Sequence, residues 1–192
     1  KVTDYLINIT SSDIIEGQTE NLNIELNIDV DGVVVEIDGK KYYVDLTNGK
    51  GSLKVDGLTN NTYTAIVKYL GDATYDAKSN NTVFTVKAKK DASKDMHVDV
   101  TIPENSTSGI VNVTLPDDAT GNVTVVIDGK VYNITNVTNG TAVVYIDNII
   151  PGNHTVEVIY SGDDNYTNAS STIELEIPKQ SDYEMSVDAV VD

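Results

Sequence analysis

The chain has 192 residues with 30 Asp plus Glu against 13 Lys plus Arg, a formal charge of −17, and neither Cys nor Trp. Such a charge repels nucleic acid and anionic bilayers, and the lack of Cys removes disulfides, thiol nucleophiles and thiolate metal ligands. No apolar run approaches the ~20 residues of a spanning helix and no charged-then-apolar leader opens the chain, so it reads as an internal, non-inserted segment of a longer secreted protein.

Taken in order, Leu22 to Asp29 alternates apolar and polar residues, the period of a strand with one buried face. Val33 to Ile37 is a second strand, and Asp38-Gly39 suits a two-residue type I′ hairpin with positive φ at both positions. Lys41 to Leu46 returns, with Tyr42, Val44 and Leu46 sharing a face, and Asn48-Gly49 turns the chain into Leu53 to Val55. Tyr63 to Tyr69 holds Tyr63, Ala65, Val67 and Tyr69 in phase, and Thr82 to Val86 closes the module. The charged stretch from Lys87 to Lys94 is the boundary, and Met96 to Val100 begins again. Ile110–Leu115, Asn122–Ile127, Val131–Ile134, Thr141–Ile146, His154–Tyr160 and Thr172–Ile177 repeat the scheme. Tyr183 to Val190 reads as the first strand of a third module. Short Val-, Ile-, Thr- and Tyr-rich segments between Gly, Asn and Asp turns predict an all-β chain of antiparallel sandwiches, about seven strands each. No helix longer than a turn is expected.

The repeat is explicit. Tyr69, Gly71, Asp72 and Tyr75 return as Tyr160, Gly162, Asp163 and Tyr166, 91 residues on. Ile37 to Lys40 returns as Ile127 to Lys130 at an offset of 90, which puts one gained residue near the loop Asn136 to Gly140, where insertion costs least. The expected division is residues 1–89, 90–179 and a truncated third repeat or tail at 180–192.

With Gly152-Asn153-His154-Thr155-Val156 upstream of Tyr160-Ser161-Gly162-Asp163-Asp164-Asn165-Tyr166, and the Asp-Gly hairpin, the modules resemble bacterial-type immunoglobulin-like repeats. In this Asn- and Thr-rich, Cys-free form they are most similar to repeats of adhesin-like surface proteins from methanogenic archaea. The first repeat departs from the signature, with Asn61-Thr62-Tyr63-Thr64-Ala65 and Leu70 in place of its Gly-x-His-Thr-Val and Ser. The resemblance implies display at a cell surface or wall, and a stalk or spacer role in adhesion toward other cells or surface glycans, alongside neighbouring repeats of the same chain. A carbohydrate- or cell-binding module and a calcium-stiffened rod are the alternatives.

Five constellations bear on chemistry. Asn-x-Ser/Thr occurs at Asn8, Asn60, Asn80, Asn105, Asn112, Asn122, Asn133, Asn136, Asn139, Asn153, Asn165 and Asn168, twelve acceptor triplets where chance from 19 Asn and 33 Ser plus Thr gives about three. Nine fall in the second module, although Thr on alternate strand positions and Asn in turns also inflate the count. Sandwich topology would bring Asp117, Asp118, Asp163 and Asp164 toward the linker carboxylates Asp91 and Asp95, with Glu16 and Glu20 on the other side. Asp95, Asp117, Asp118, Asp163 and Asp164 are thus candidate calcium ligands; the competing reading is a solvated acidic surface, since no twelve-residue calcium loop is present. The paired tyrosines read either as a sugar-stacking platform or, because packing must recur in every module, as a structural closure. His154 replaces Tyr63 and is expected to fill its position, while His97 has no second ligand near it. Lys94, the best candidate for a self-formed isopeptide crosslink, sits in a charged linker. No Ser-His-Asp spacing or distinct carboxylate pair stands out, so no catalytic residue and no cofactor beyond calcium is expected.

Overall fold

The computed structural model describes residues 1–179. The expected third-module strand, Tyr183 to Val190, lies outside the described residues. The chain folds as two compact units divided between Lys89 and Lys90.

The first unit runs β1 (Ile7–Thr10), β2 (Ile14–Ile15), β3 (Glu20–Leu26), β4 (Gly32–Ile37), β5 (Lys40–Asp45), β6 (Lys50–Val55), β7 (Asn61–Tyr69) and β8 (Lys78–Lys87). One sheet has the order β1-β3-β6, the other β2-β8-β7-β4-β5. Alternation dictates the layers: Leu22, Ile24 and Leu26 of β3 are buried, while Asn21, Asn23 and Glu25 face out. They meet Val33, Val35 and Ile37 of β4 and Ala65, Val67 and Tyr69 of β7 in one core. Burying a Leu, Ile or Val contributes about 1.5–3 kcal/mol per side chain, so this face carries most of the unit's stability.

The second unit runs β9 (His97–Thr101), β10 (Gly109–Thr114), β11 (Asn122–Ile127), β12 (Lys130–Asn136), β13 (Thr141–Ile146), β14 (Gly152–Tyr160) and β15 (Ala169–Ile177). Its sheets are β13-β10-β9 and β12-β11-β14-β15, around a core of Val111, Val113, Val123, Val125, Val156, Val158 and Tyr160 among others. A 3₁₀ turn, Ala92–Lys94, precedes β9 and is capped by Asp91, which accepts from the Ser93 amide at 3.1 Å. Among the described residues no helix is long and apolar enough to cross a membrane.

Two features depart from the sequence expectation. β1 and β2 fall in a stretch where Ser11-Ser12-Asp13 interrupts the alternation, so the chain leaves one sheet and joins the other after a few residues. β1 pairs antiparallel with β3, whereas β2 pairs parallel with β8, Ile14 opposite Val86 and Ile15 opposite Lys87. Glu20, fully buried, anchors the crossing by accepting from the Ser12 amide at 3.1 Å. The residue gained by the second repeat is not in the Asn136–Gly140 loop. β4 and β5 pair without a break, but the β11–β12 register shifts between Val125 and Val126, leaving Tyr132 as the extra residue between Val131 and Asn133. The gain is a β-bulge, which locally interrupts the ladder and re-aims a side chain. Tyr132 hydroxyl then bonds the Asp147 carboxylate and accepts from the Asp147 amide at 2.6 Å, tying β12 to the chain leaving β13.

Candidate functional site

The motif tyrosines bracket one turn in each unit. After β7, Gly71 adopts φ +81, and the Asp72 carboxylate folds onto its own turn. Oδ1 accepts from the Thr74 and Tyr75 amides at 2.6 and 2.7 Å, and Oδ2 accepts the Tyr69 hydroxyl at 2.7 Å. A Cβ on Gly71 would stand 2.8 Å from the Ala77 nitrogen, so the turn admits only glycine there. The Tyr75 amide and its fellow donors hold Asp72 below the usual carboxylate range, and burial pushes the Tyr69 phenol up to about 12.

The second unit keeps the turn and changes the partner. Asp163 Oδ1 accepts from the Asn165 and Tyr166 amides, both at 2.8 Å, while Oδ2 takes the Thr120 amide at 2.7 Å and the Thr120 hydroxyl at 3.1 Å. Burial opposes ionisation of Asp163, yet the Thr120, Asn165 and Tyr166 amides outweigh it and hold the carboxyl at about 2. Tyr160 is fully buried, and burial followed by the nearby Asp163 charge pushes its phenol up.

The loop carrying the second tyrosine also grips the incoming chain. In the first unit the Val2 amide donates to Thr74 O at 2.8 Å and Val2 O accepts from Asp76 at 3.1 Å. In the second, Lys90 makes the same pair with Asn165 O at 2.8 Å and the Thr167 amide at 2.9 Å. The rings pack rather than face solvent. Tyr5 meets Tyr69 and Tyr75 edge-on at 6.1 and 5.8 Å and donates its hydroxyl to Asp76 O at 2.6 Å. Tyr166, 3% exposed, donates to Asp118 Oδ1 at 2.6 Å, and Lys90 Nζ lies 5.0 Å over its ring. Tyr5 escaped the sequence reading because apolar Leu6 masks the alternation of Tyr5, Ile7 and Ile9.

The five candidate calcium ligands do not converge. Asp163 is taken by four turn and loop donors, and Asp118 is held by Tyr166 with Lys90 3.7 Å away. Asp95, Asp117 and Asp164 are exposed. Glu20 points into the core, and Glu16 accepts from the Asn60 amide at 3.3 Å. Among the described residues no group of three or more His, Asp or Glu is placed to hold a metal ion.

His154 occupies the position of Tyr63. Tyr63 donates its hydroxyl to Thr59 O at 3.0 Å, and His154 Nε2 lies 2.7 Å from Ile150 O, four residues back in both cases. His154 Nδ1 also lies 2.7 Å from Asp128 Oδ2. A carbonyl and a carboxylate both accept, so each ring nitrogen has a group to donate to and the arrangement favours the imidazolium. The Asp128 hydrogen bond, then that to Ile150 O, raises the His154 pKa, and the same contact lowers that of Asp128. His97 is exposed on β9.

Of the twelve acceptor triplets, Asn165 is half-buried and the others present an exposed Asn. Asn80 is engaged, its Nδ2 donating to Ile7 O at 2.9 Å.

Residues 95–177 match the family described as Bacterial Ig-like domain (group 3). No curated protein matches the chain. Among solved structures, the fibronectin(III)-like modules of Clostridium thermocellum CbhA are 14% identical over 94% of this chain and 100% of theirs, with a TM-score of 0.39. The I-band fragment I67–I69 of titin is 11% identical over 92% of this chain and 66% of its own, with a TM-score of 0.38. A Parabacteroides merdae beta-glucuronidase is 14% identical over 91% of this chain, which spans 25% of that enzyme, with a TM-score of 0.35. The stretch from Asp95 to Ile177 is thus similar in sequence to bacterial immunoglobulin-like domains, and the chain carries the repeat plan, hairpins and tyrosine turn of that stretch a second time in its first unit.

Proposed function

We infer that the chain is a structural segment of a protein displayed outside the cell, a stalk of like modules that spaces and presents an adhesive region rather than a reaction centre. The observation that carries this is the repeated closure: both units use the same Tyr-x-Gly-Asp turn to seal the sandwich and to grip the incoming chain. Apart from the buried Tyr160 hydroxyl, its polar groups are bonded within the fold, so this shared motif is committed to structure. The excess of exposed Asn-x-Ser/Thr triplets supports an exported, glycosylated surface, and the charge of −17 supports solubility there. A sugar-stacking platform has no support in the motif tyrosines, since Tyr69, Tyr160 and Tyr166 are buried.

The test is made on native cells. Antibodies against this segment are expected to label unpermeabilised cells, and the isolated segment to show no saturable binding to a glycan array or to whole cells. Labelling only after permeabilisation, or saturable binding by the segment alone, would overturn the reading.

A further inference from the structure

Each unit ends two of its sheets in neighbouring strands: β5 and β6 in the first unit, β12 and β13 in the second. Edge strands offer unpaired N–H and C=O groups to any passing chain, and folds commonly blunt them with lysine. The first unit does so, with exposed Lys41 and Asp45 on β5 and exposed Lys50 and Lys54 on β6. The hairpins fix the matching positions in the second unit. Lys40 opposite Ile37 corresponds to Lys130 opposite Ile127, and the Thr47–Lys50 bridge corresponds to Thr138–Thr141. At those positions stand Val131, Asn136, Thr141 and Tyr145, with Val131 65% and Tyr145 72% exposed. Ile134 and Val143, 60% and 45% exposed, extend the same apolar edge.

The strand that loses two of its three charges gains acceptors. Asn133 and Asn136 lie on β12 and Asn139 in the turn to β13, whereas residues 42–50 of the first unit hold no such triplet. The Asn133 carboxamide oxygen accepts the Ile134 amide at 2.8 Å, an arrangement that directs no Nδ2 hydrogen into the fold. We propose that Asn133 and Asn136 carry N-linked oligosaccharide and that this carbohydrate covers the β12–β13 edge, the task lysines perform in the first unit. The proposal rests on export of the chain. In the transfer, Asn Nδ2 bonds to the anomeric carbon of a lipid-phosphate-linked oligosaccharide. The bond from that carbon to phosphate oxygen breaks, the phosphate leaves with the electron pair, and one amide proton is released to a base. Left bare, this apolar edge is open to pairing with the edge of a second copy, and a hydrophilic cover blocks that pairing.

The experiment has two arms. Glycopeptide mass mapping of protein from native cells is expected to find hexose-bearing Asn133 and Asn136; both bare while other acceptors are occupied sinks the assignment and leaves the surface reading standing. In the second arm the full chain is made in a bacterial cytoplasm without N-glycosylation and sedimented over a concentration series. The bare chain is expected to self-associate, and V131K/Y145K to weaken that association by about tenfold or more. Thermal melting of the variant alongside shows that it is folded. A bare chain that stays monomeric, or a folded lysine variant that associates equally well, overturns the role given to the edge whatever the cellular location proves to be.

Discussion

One position shows how a single residue changes the chemistry of a unit. Tyr63 is buried, stacks on Phe84 with centroids 5.6 Å apart, and donates one hydrogen bond to Thr59 O. His154 makes the equivalent bond and adds Asp128, the first residue of the β11–β12 turn. Lys130 is the other charge on that turn, and Asp128 also accepts from the Thr155 amide at 3.0 Å. Since the folded pKa of His154 is raised above the ordinary value, its contribution is complete below about 6.5 and is lost as pH rises through the folded value. Calorimetry of the whole chain is therefore expected to show a transition that falls by a few degrees between pH 6 and pH 9, and His154→Tyr is expected to remove that slope. A slope unchanged in the variant would assign it to other groups. The offset between repeats located His154 correctly, but nothing in the sequence named Asp128, which reaches it across the sheet from 26 residues away.

Two dipeptides that read alike behave differently as elements. Asp38-Gly39 and Asn48-Gly49 both take positive φ, as the type I′ reading of the first requires. Asp38-Gly39 joins strands paired within one sheet, and a Cβ on Gly39 would meet nothing within 4 Å. Asn48-Gly49 carries the chain from one sheet to the other; Gly49 O accepts the Leu26 amide at 2.8 Å, and a Cβ on Gly49 would lie 2.2 Å from Leu26 O. Gly39→Ala is expected to lower stability by about 1–2 kcal/mol, the usual cost of a left-handed backbone on an L residue. Gly49→Ala adds displacement of β3 and is expected to cost at least twice as much in urea denaturation; equal midpoints would refute the distinction. Strands with strict alternation, such as β3 and β7, were legible because their buried faces repeat every second residue. β1 was not, because apolar Leu6 masks the alternation of Tyr5, Ile7 and Ile9, and β2 was not, because two residues cannot show a period. The bulge at Tyr132 showed only as one extra residue, which the sequence assigned to the Asn136–Gly140 loop, since register is a property of two strands together.

The two units are variants of one plan with different surfaces. The repeat itself was legible, because spacing between landmarks survives substitution, and so was the concentration of acceptor triplets in the second unit. The exchange of Lys41, Lys50 and Lys54 for Val131, Thr141 and Tyr145 was not, since it emerges only when both hairpins are aligned by their pairings. The first unit also carries the parallel contact of β2 with β8, extended by the Glu16 amide donating to Lys87 O at 2.8 Å. Those strands lie at opposite ends of the unit's chain yet run side by side in the same direction. Tension applied through the flanking residues would drag one along the other, so their ladder would have to rupture together instead of unzipping bond by bond. In single-molecule stretching of the whole chain, Glu16→Pro, which deletes one rung, is expected to lower the rupture force of one of the two unfolding events and spare the other. A segment whose place is between an anchor and something that pulls would then owe its endurance to two isoleucines and a glutamate amide near its start.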